Sequence, residues 1–352
     1  MKRLLVLGAT GSVGTTALNA VRRGLTDCKV SGLASFSSDR LISLGEEFNA
    51  PVFRGKGQDK ASVSRFIDQT EPDLILNSVS GADGLLYSVI ALEKGIPLAL
   101  SNKETLTMGG SFIKNLMQGK TVYPVDSEHS AIWSLLREKN VDKIIITASG
   151  GPFRTRADLE NVTVAEALSH PTWNMGPKIT VDSATLANKG LEVIEASVLF
   201  SLPPDKIEVL VHPESIVHSL SVKLDGSVKA LLAVPDMTLP VVTALNGGED
   251  HNTQALVSPL ELAGKSLSFY HWDKERFPLL GAAYDALRSG GAYTAAFTAS
   301  DEAAVKAFLS GSISFTGIAE KVQRTLEMDW SRTPESLEEI LEVRRRAERC
   351  AF

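Results

Sequence analysis

Sulfur and imidazole are scarce in this chain: 352 residues contain two cysteines, Cys28 and Cys350, and six histidines. Two thiols near opposite ends make no disulfide framework, and no Cys/His set stands at zinc spacing, so a stapled secreted scaffold and a zinc module are both excluded. Blocks of positive charge are missing too. The longest basic run is Arg344-Arg345-Arg346 and the net charge is −6, which leaves no electrostatic footprint for nucleic acid or an acidic membrane. No uninterrupted apolar run is long enough to cross a bilayer, and no charged-then-apolar leader precedes the strand that starts by Arg3. Repeats and low-complexity tracts are also absent. These absences lead to the expectation of a soluble, cytoplasmic, globular protein. With 43% apolar residues the chain can bury the cores of two or three domains.

The first element expected is a buried parallel strand, Arg3 to Leu7, followed at once by Gly8-Ala9-Thr10-Gly11-Ser12-Val13-Gly14 and a helix from Thr15 to Arg23. Strand, glycine turn and helix in this order let the backbone approach a pyrophosphate at a helix N-terminus, although such a turn also serves plain βα packing. A second strand, Lys29 to Ala34, ends without the Asp or Glu that would hold the ribose of NAD. Ser35-Phe36-Ser37-Ser38-Asp39-Arg40 stands there instead, which favours the 2'-phosphate of NADP and makes Arg40 the nearby cation. The same run also reads as a capped helix start. Strands at 72–77 and 97–100 flank a helix from Ala82 to Lys94 and continue the parallel sheet. The second of them leads into Ser101-Asn102-Lys103-Glu104, a capping-box pattern at the carboxyl end of a strand, where open α/β sheets bind ligands.

Val122 to Val125 is the next strand, running into Asp126-Ser127-Glu128-His129 and a helix from Ala131 to Glu138. If the strand persists, the carboxylates of Asp126 and Glu128 project to one side, and hard oxygen ligands suit Mg or Mn. Acids at a helix start are the plainer reading. Lys143 to Ala148 then feeds Ser149-Gly150-Gly151-Pro152, a turn of small residues able to present N–H groups to an anion.

His170 to Glu195 combines a Pro/Gly-bounded loop with a β-branched run, Ile179 to Val181, and an amphipathic helix starting near Ser183 and Thr185. Asn188, Lys189 and Glu192 fall on one face of that helix, and its N-terminus with Lys189 one turn in suits a phosphate. Solvated charges around a core Trp173 are the alternative. Strands at 207–211, 217–224 and 227–234, with an Asp225-Gly226 hairpin signal, make an antiparallel α+β region. Irregular sequence follows over 247–278. Helical periodicity near 279–288, 301–309, 318–327 and 334–349 closes the chain as a small helical domain.

Taken together, G-A-T-G-S-V-G, S-N-K-E, P-V-D-S-E-H, S-G-G-P-F-R, H-P-T-W-N-M-G, V-D-S-A-T-L-A-N-K-G-L-E and H-P-E-S-I-V-H-S closely resemble the motifs of the 1-deoxy-D-xylulose 5-phosphate reductoisomerases, in their order and over essentially the whole chain. The resemblance implies a V-shaped homodimer of α/β class. It would have an N-terminal Rossmann-like NADPH-binding domain (1–126), a central α+β catalytic and dimerisation domain (127–246), a connecting segment (247–278) and a C-terminal helical bundle (279–352). The implied reaction converts 1-deoxy-D-xylulose 5-phosphate to 2-C-methyl-D-erythritol 4-phosphate with NADPH and Mg2+, Mn2+ or Co2+, in non-mevalonate isoprenoid synthesis.

By matching motifs, Asp126, Glu128 and Glu192 would hold the metal. Lys103, Ser127 and Glu128 would meet the substrate backbone, and Ser149, Ser183, Asn188 and Lys189 its phosphate. His170 and Trp173 would close over the substrate on a flap, 170–176. Thr10, Gly11, Ser12, Val13, Asn102, Glu104 and Gly176 would contact NADPH, with Ser37 and Ser38 beside its 2'-phosphate. The chain departs from the family where Phe36-Ser37-Ser38 replaces a Gly-Lys-Asn-like run, and where Ser300-Asp301-Glu302 replaces Ala-Asn-Glu. The competing readings are a metal-free NAD(P) dehydrogenase of the homoserine or semialdehyde type and a non-catalytic NADP-binding regulator. The first has no use for three carboxylates, and the second would have lost members of the Asp126, Glu128, Lys189, Glu192 set.

Overall fold

The computed structural model describes the chain except for residues 56–58, 174 and 250. Position 174 in the expected flap and 250 in the expected connection therefore lie outside the described residues. The chain forms two compact units, one of Met1–Thr105, Ile113–Ser130 and Asp236–Leu260, the other of Leu106–Phe112, Ala131–Pro235 and Glu261–Phe352.

The first unit alternates strand and helix: β1 (Lys2–Leu7), α1 (Ser12–Arg22), β2 (Cys28–Ser35), α2 (Arg40–Phe48), β3 (Val52–Arg54), α3 (Lys60–Thr70), β4 (Leu74–Asn77), α4 (Asp83–Glu93), β5 (Leu98–Leu100), α5 (Lys103–Leu116), β6 (Val122–Pro124) and the start of α6 (Ser127–Leu135). The strands form one sheet in the order β3-β2-β1-β4-β5-β6, and every pairing is parallel. That is the Rossmann order, with its crevice where the order reverses between β1 and β4. Leu4, Leu5, Val6 and Leu7 are all fully buried, as a central parallel strand covered on both faces requires. The turn after β1 depends on glycine. Gly8 has φ +84°, and a Cβ on Gly14 would stand 2.3 Å from the Gly8 carbonyl oxygen, so α1 can start only because both side chains are absent. Helix α10 (Thr238–Leu245) belongs to this unit: Val241, Ala244 and Leu245 share its core with Ala17, Leu18 and Val125, and Asn246 donates to the Leu25 carbonyl at 3.0 Å.

The second unit is built on β7 (Val141–Ala148), β8 (Ile207–Val211), β9 (Val217–Lys223) and β10 (Val228–Leu232), in the order β10-β9-β7-β8. β9 pairs antiparallel with both β7 and β10, and β8 runs parallel to β7. The expected hairpin at Asp225-Gly226 joins β9 to β10. Its helices are α7 (Val164–Ala167), α8 (Pro177–Thr185), α9 (Ala187–Phe200), α11 (Pro278–Ser289), α12 (Tyr293–Leu309), α13 (Phe315–Leu326) and α14 (Leu337–Ala351). One core joins Ile144 and Ile146 of β7, Leu191 and Ile194 of α9, and Leu280, Phe297 and Ile318 of the C-terminal helices. Helix α9 is buried along almost its whole length, its polar Asn188, Lys189, Glu192 and Glu195 included.

Three local expectations differ from the structure. Ile179 to Val181 is helical, because Pro177 at the first helical position presets φ and packing overrides β propensity. Ser183 therefore lies in the last turn of α8 and is no N-cap, and α9 starts only after the left-handed Leu186 (φ 59°). Asp126 and Glu128 do not share a strand face. The Asp126 carboxylate accepts from the N–H groups of Glu128 (3.1 Å) and His129 (3.3 Å), and this cap starts α6 earlier than Ala131. In the S-N-K-E run, Asn102 and not Ser101 caps the helix, accepting from the Thr105 N–H at 3.0 Å.

Candidate active site

In the first unit the carboxyl ends of the strands carry the functional side chains. Thr10 sits in the glycine turn and its hydroxyl lies 2.6 Å from that of Ser35, tying the turn to the end of β2. Gly11, Ser12 and Val13 open α1, and no side chain caps its N-terminus, so the first N–H groups face outward as an anion would need. Ser37 and Ser38 lie in the exposed and half-exposed turn after β2. Asn102 is spent on its own chain. Its amide nitrogen donates to the carbonyls of Val79 and Gly81 and to the Glu104 carboxylate, each at 2.8 Å, which fixes the loop after β4 against the start of α5.

Lys103 and Asp126 meet because β5 and β6 are adjacent parallel strands, with Leu100 opposite Pro124, and each residue follows just behind its strand. Their ammonium and carboxylate form a close ion pair in which both side chains are largely buried. Asp126 also faces the ring of His129 at 3.2 Å. Ser127 donates to the Glu128 carboxylate. A cation, two carboxylates and a hydroxyl thus stand together at one sheet edge.

In the second unit, α9 places Asn188, Lys189 and Glu192 together. Glu192 accepts from Asn188 Nδ2 at 2.6 Å and from Lys189 Nζ at 2.7 Å. All three are buried, Glu192 with 1% of its surface exposed, so the alternative of solvated charges fails. A buried Lys–Glu pair costs desolvation that a bare helix gains nothing by incurring.

Ser149 follows β7, and Ser183 follows from α8. A Cβ on Gly151 (φ +65°) would meet the Ser183 carbonyl oxygen at 2.8 Å, so glycine lets the turn lie directly on α8. His170 Nε2 lies 3.2 Å from the Ser149 hydroxyl and 3.1 Å from that of Ser183. Its Nδ1 accepts from the N–H groups of Thr172 (3.1 Å) and Trp173 (2.9 Å), which places the proton of the neutral ring on Nε2. Burial, and secondarily the charge of Lys189, hold the imidazole below its ordinary pKa. His170, Ser149 and Ser183 therefore stand together, with the Nε2–H of the neutral ring shared between the two hydroxyls. Trp173 is half-buried, edge-on to His218 at 6.4 Å, and Gly176 stands exposed as the N-cap of α8.

One network escaped the sequence reading. Lys178 reaches Asp182 at 2.6 Å and Asp301 at 3.2 Å, and both carboxylates are buried. The i,i+4 spacing of Lys178 and Asp182 was visible. Asp301 was not, because α12 was expected to begin at it, whereas it lies midway along that helix.

Three family models match this chain. One described as the 1-deoxy-D-xylulose 5-phosphate reductoisomerase C-terminal domain covers residues 122–200, one described as the DXP reductoisomerase C-terminal domain covers 232–350, and one described as 1-deoxy-D-xylulose 5-phosphate reductoisomerase covers 54–110. The enzyme of that name from Treponema denticola is 40% identical over 369 residues, spanning 100% of this chain and 96% of the relative. That of Chlorobium chlorochromatii is 41% identical over 373 residues, spanning 98% and 97%. The solved structure of the Zymomonas mobilis enzyme in complex with NADPH superposes with a TM-score of 0.90 at 34% identity, covering 100% of this chain and 98% of the other. A DOX-P reductoisomerase in complex with NADPH, fosmidomycin and magnesium gives a TM-score of 0.90 at 31% identity, covering 100% and 97%. Matches of this length and identity mean that the chain belongs to the 1-deoxy-D-xylulose 5-phosphate reductoisomerase family.

Proposed function

We propose that this chain converts 1-deoxy-D-xylulose 5-phosphate to 2-C-methyl-D-erythritol 4-phosphate, using NADPH and a divalent cation, as a step of non-mevalonate isoprenoid synthesis. The observation that carries the reading is the buried Asn188–Lys189–Glu192 set. A buried helix keeps an ammonium and a carboxylate out of water where a charged ligand can repay them.

Thr10, Gly11, Ser12 and Val13 would hold NADPH at the glycine turn, Ser37 and Ser38 would stand beside its 2'-phosphate, and Asn102, Glu104 and Gly176 would be further contacts to the cofactor. Asp126, Glu128 and Glu192 are the metal ligands. Their chemistry fits, since all are oxygen donors that already attract a cation or hydrogen-bond donor of the chain: Lys103 for Asp126, Ser127 for Glu128 and Lys189 for Glu192. A bound Mg2+, Mn2+ or Co2+ supplies Lewis-acid polarisation of the substrate ketone.

Lys103, with Ser127, orients the substrate's hydroxyl and carbonyl oxygens. Ser149, Ser183, Asn188 and Lys189 bind its phosphate, and His170 joins them through Nε2–H. Trp173 closes over the substrate with the flap 170–176 and excludes water while the carbon skeleton is rearranged and reduced. Holding the phosphate far from the reacting carbons makes that remote contact serve orientation.

The resemblance to the family would divide the chain at 126, 246 and 278, although Thr238–Leu245 packs within the first compact unit. A homodimer in the cytoplasm completes the proposal. Among the described residues β10 pairs only with β9, and its neighbourhood exposes Leu224 and Val228, an apolar edge suited to a second copy. Among the described residues no helix is long and apolar enough to cross a membrane. The test is product formation from 1-deoxy-D-xylulose 5-phosphate with NADPH and Mg2+ or Mn2+. Activity should vanish with EDTA and return with added metal. Turnover that survives chelation would return the metal-free dehydrogenase reading.

A further inference from the structure

A Rossmann sheet holds the ribose of its dinucleotide at the end of its second strand. In this chain that end has no acid, and the turn Phe36-Ser37-Ser38 has no cation of its own. The neighbouring strand supplies one. β3 runs parallel to β2 with Arg54 opposite Ser35, so Arg54, the last residue of β3, comes out at the same end of the sheet. Its Nη2 donates to the Ser37 carbonyl at 2.9 Å and to the Asp39 carboxylate. Asp39 stands at the N-cap of α2 without capping it, because its carboxylate is turned to the guanidinium instead. Among the described residues, Arg54 Nε and Nη1 have no protein partner. The guanidinium is thus held in place by one edge while the rest of its fork stays open, and part of its surface is exposed. Arg40, the first residue of α2, has no side-chain partner holding it at this turn among the described residues. The Thr10–Ser35 contact at 2.6 Å fixes the pyrophosphate turn relative to the same strand end.

We propose that Arg54 is the residue by which this enzyme selects NADPH over NADH, receiving the 2'-phosphate through its open Nε and Nη1 donors beside Ser37 and Ser38. The proposal rests on the reading of the chain as an NADPH enzyme. A planar, permanently charged fork suits a phosphate better than the hydroxyls of the two serines alone, and Asp39 serves as its positioning residue.

The test is binding to the full-length protein, measured by calorimetry with 2',5'-ADP against 5'-AMP and by fluorescence with NADPH against NADH. Arg54→Met should weaken 2',5'-ADP and NADPH by at least about tenfold, the loss of a charge-assisted contact, and leave 5'-AMP and NADH unchanged. Arg54→Lys should recover part of the difference. Arg40→Met should alter neither ratio by more than about twofold, within the range of a remote surface change. Equal weakening of phosphorylated and unphosphorylated ligands in Arg54→Met, no weakening of either, or discrimination that follows Arg40 would each overturn the assignment. A wild-type chain that binds NADPH and NADH alike would overturn it while leaving a nicotinamide enzyme, and one that binds neither would remove the underlying reading as well.

Discussion

Lys103–Asp126 and Lys189–Glu192 put the same chemistry, an ammonium held against a carboxylate, on two differently built supports. The first pair joins residues 23 positions apart and exists because β5 and β6 end side by side. The second lies within α9, three residues apart, and needs no tertiary structure to form. Their surroundings differ as well: Glu192 is almost wholly enclosed, whereas Asp126 keeps 13% of its side-chain surface exposed and has the Glu128 and His129 N–H groups as further donors. A local pair can thus be energetically demanding, and a long-range pair can be well supported. The spacing of two residues in sequence says nothing about which is which.

Glu192→Gln should have the largest effect. Losing a proposed metal ligand should lower kcat/KM by more than about 100-fold, beyond the loss typical of a ligand's outer partner, and leaving Lys189 buried without its counter-charge should cost about 3 kcal/mol in denaturant titrations. A carboxylate facing an open cleft would cost little stability. Replacing both members, Lys189→Met with Glu192→Met, should recover stability but no activity; recovery of neither would mean that α9 depends on the pair for its fold.

Lys103→Met comes next, with an expected loss of about 100-fold in kcat/KM from lost orientation of the substrate and a smaller stability cost, because Asp126 retains its backbone donors. Destabilisation by Lys103→Met equal to that by Glu192→Gln would break the contrast drawn above. Trp173→Ala should lower kcat/KM about tenfold or more by removing the flap's cover, with NADPH affinity unchanged. A half-buried indole should cost only about 1 kcal/mol of stability. A much larger stability loss with intact turnover would make Trp173 a core residue.

The smallest effect concerns pH. His170 in the folded protein titrates below its ordinary value of 6.5, so the unfolded chain takes up its proton first as pH falls. The stability this ring contributes is complete above that ordinary value and declines as pH drops from it towards the folded pKa. His170→Gln should flatten the stability curve in this window. An unchanged slope would show that the ring is not held neutral.

The Rossmann half was legible because its signals are local: the glycine turn forces a strand-to-helix junction, and apolar runs of strand length bounded by turns name the parallel sheet. The Asp225-Gly226 hairpin was legible for the same reason. The stretch from Pro177 to Glu192 was harder. Its residue types pointed to an anion and a metal, but Ile179 to Val181 look like a strand in isolation, and only Pro177 and the packing around α8 make them helical. Asp301 and Arg54 were hidden for a third reason, since each acquires its partners from a neighbouring element that sequence order does not reveal. Residue chemistry could be read from the chain, and residue neighbourhood could not.

The central claim of the proposal is that carboxylates from two separate segments, Asp126 and Glu128 behind β6 and Glu192 on α9, would serve one ion. Titration of Mn2+ into the protein, followed by the loss of the free-ion electron paramagnetic resonance signal, measures this without turnover. The account predicts one tight site per chain, abolished by Asp126→Asn alone and by Glu192→Gln alone, in variants shown to be folded. If either variant keeps the wild-type stoichiometry and affinity, the two segments do not share an ion and the account is contradicted.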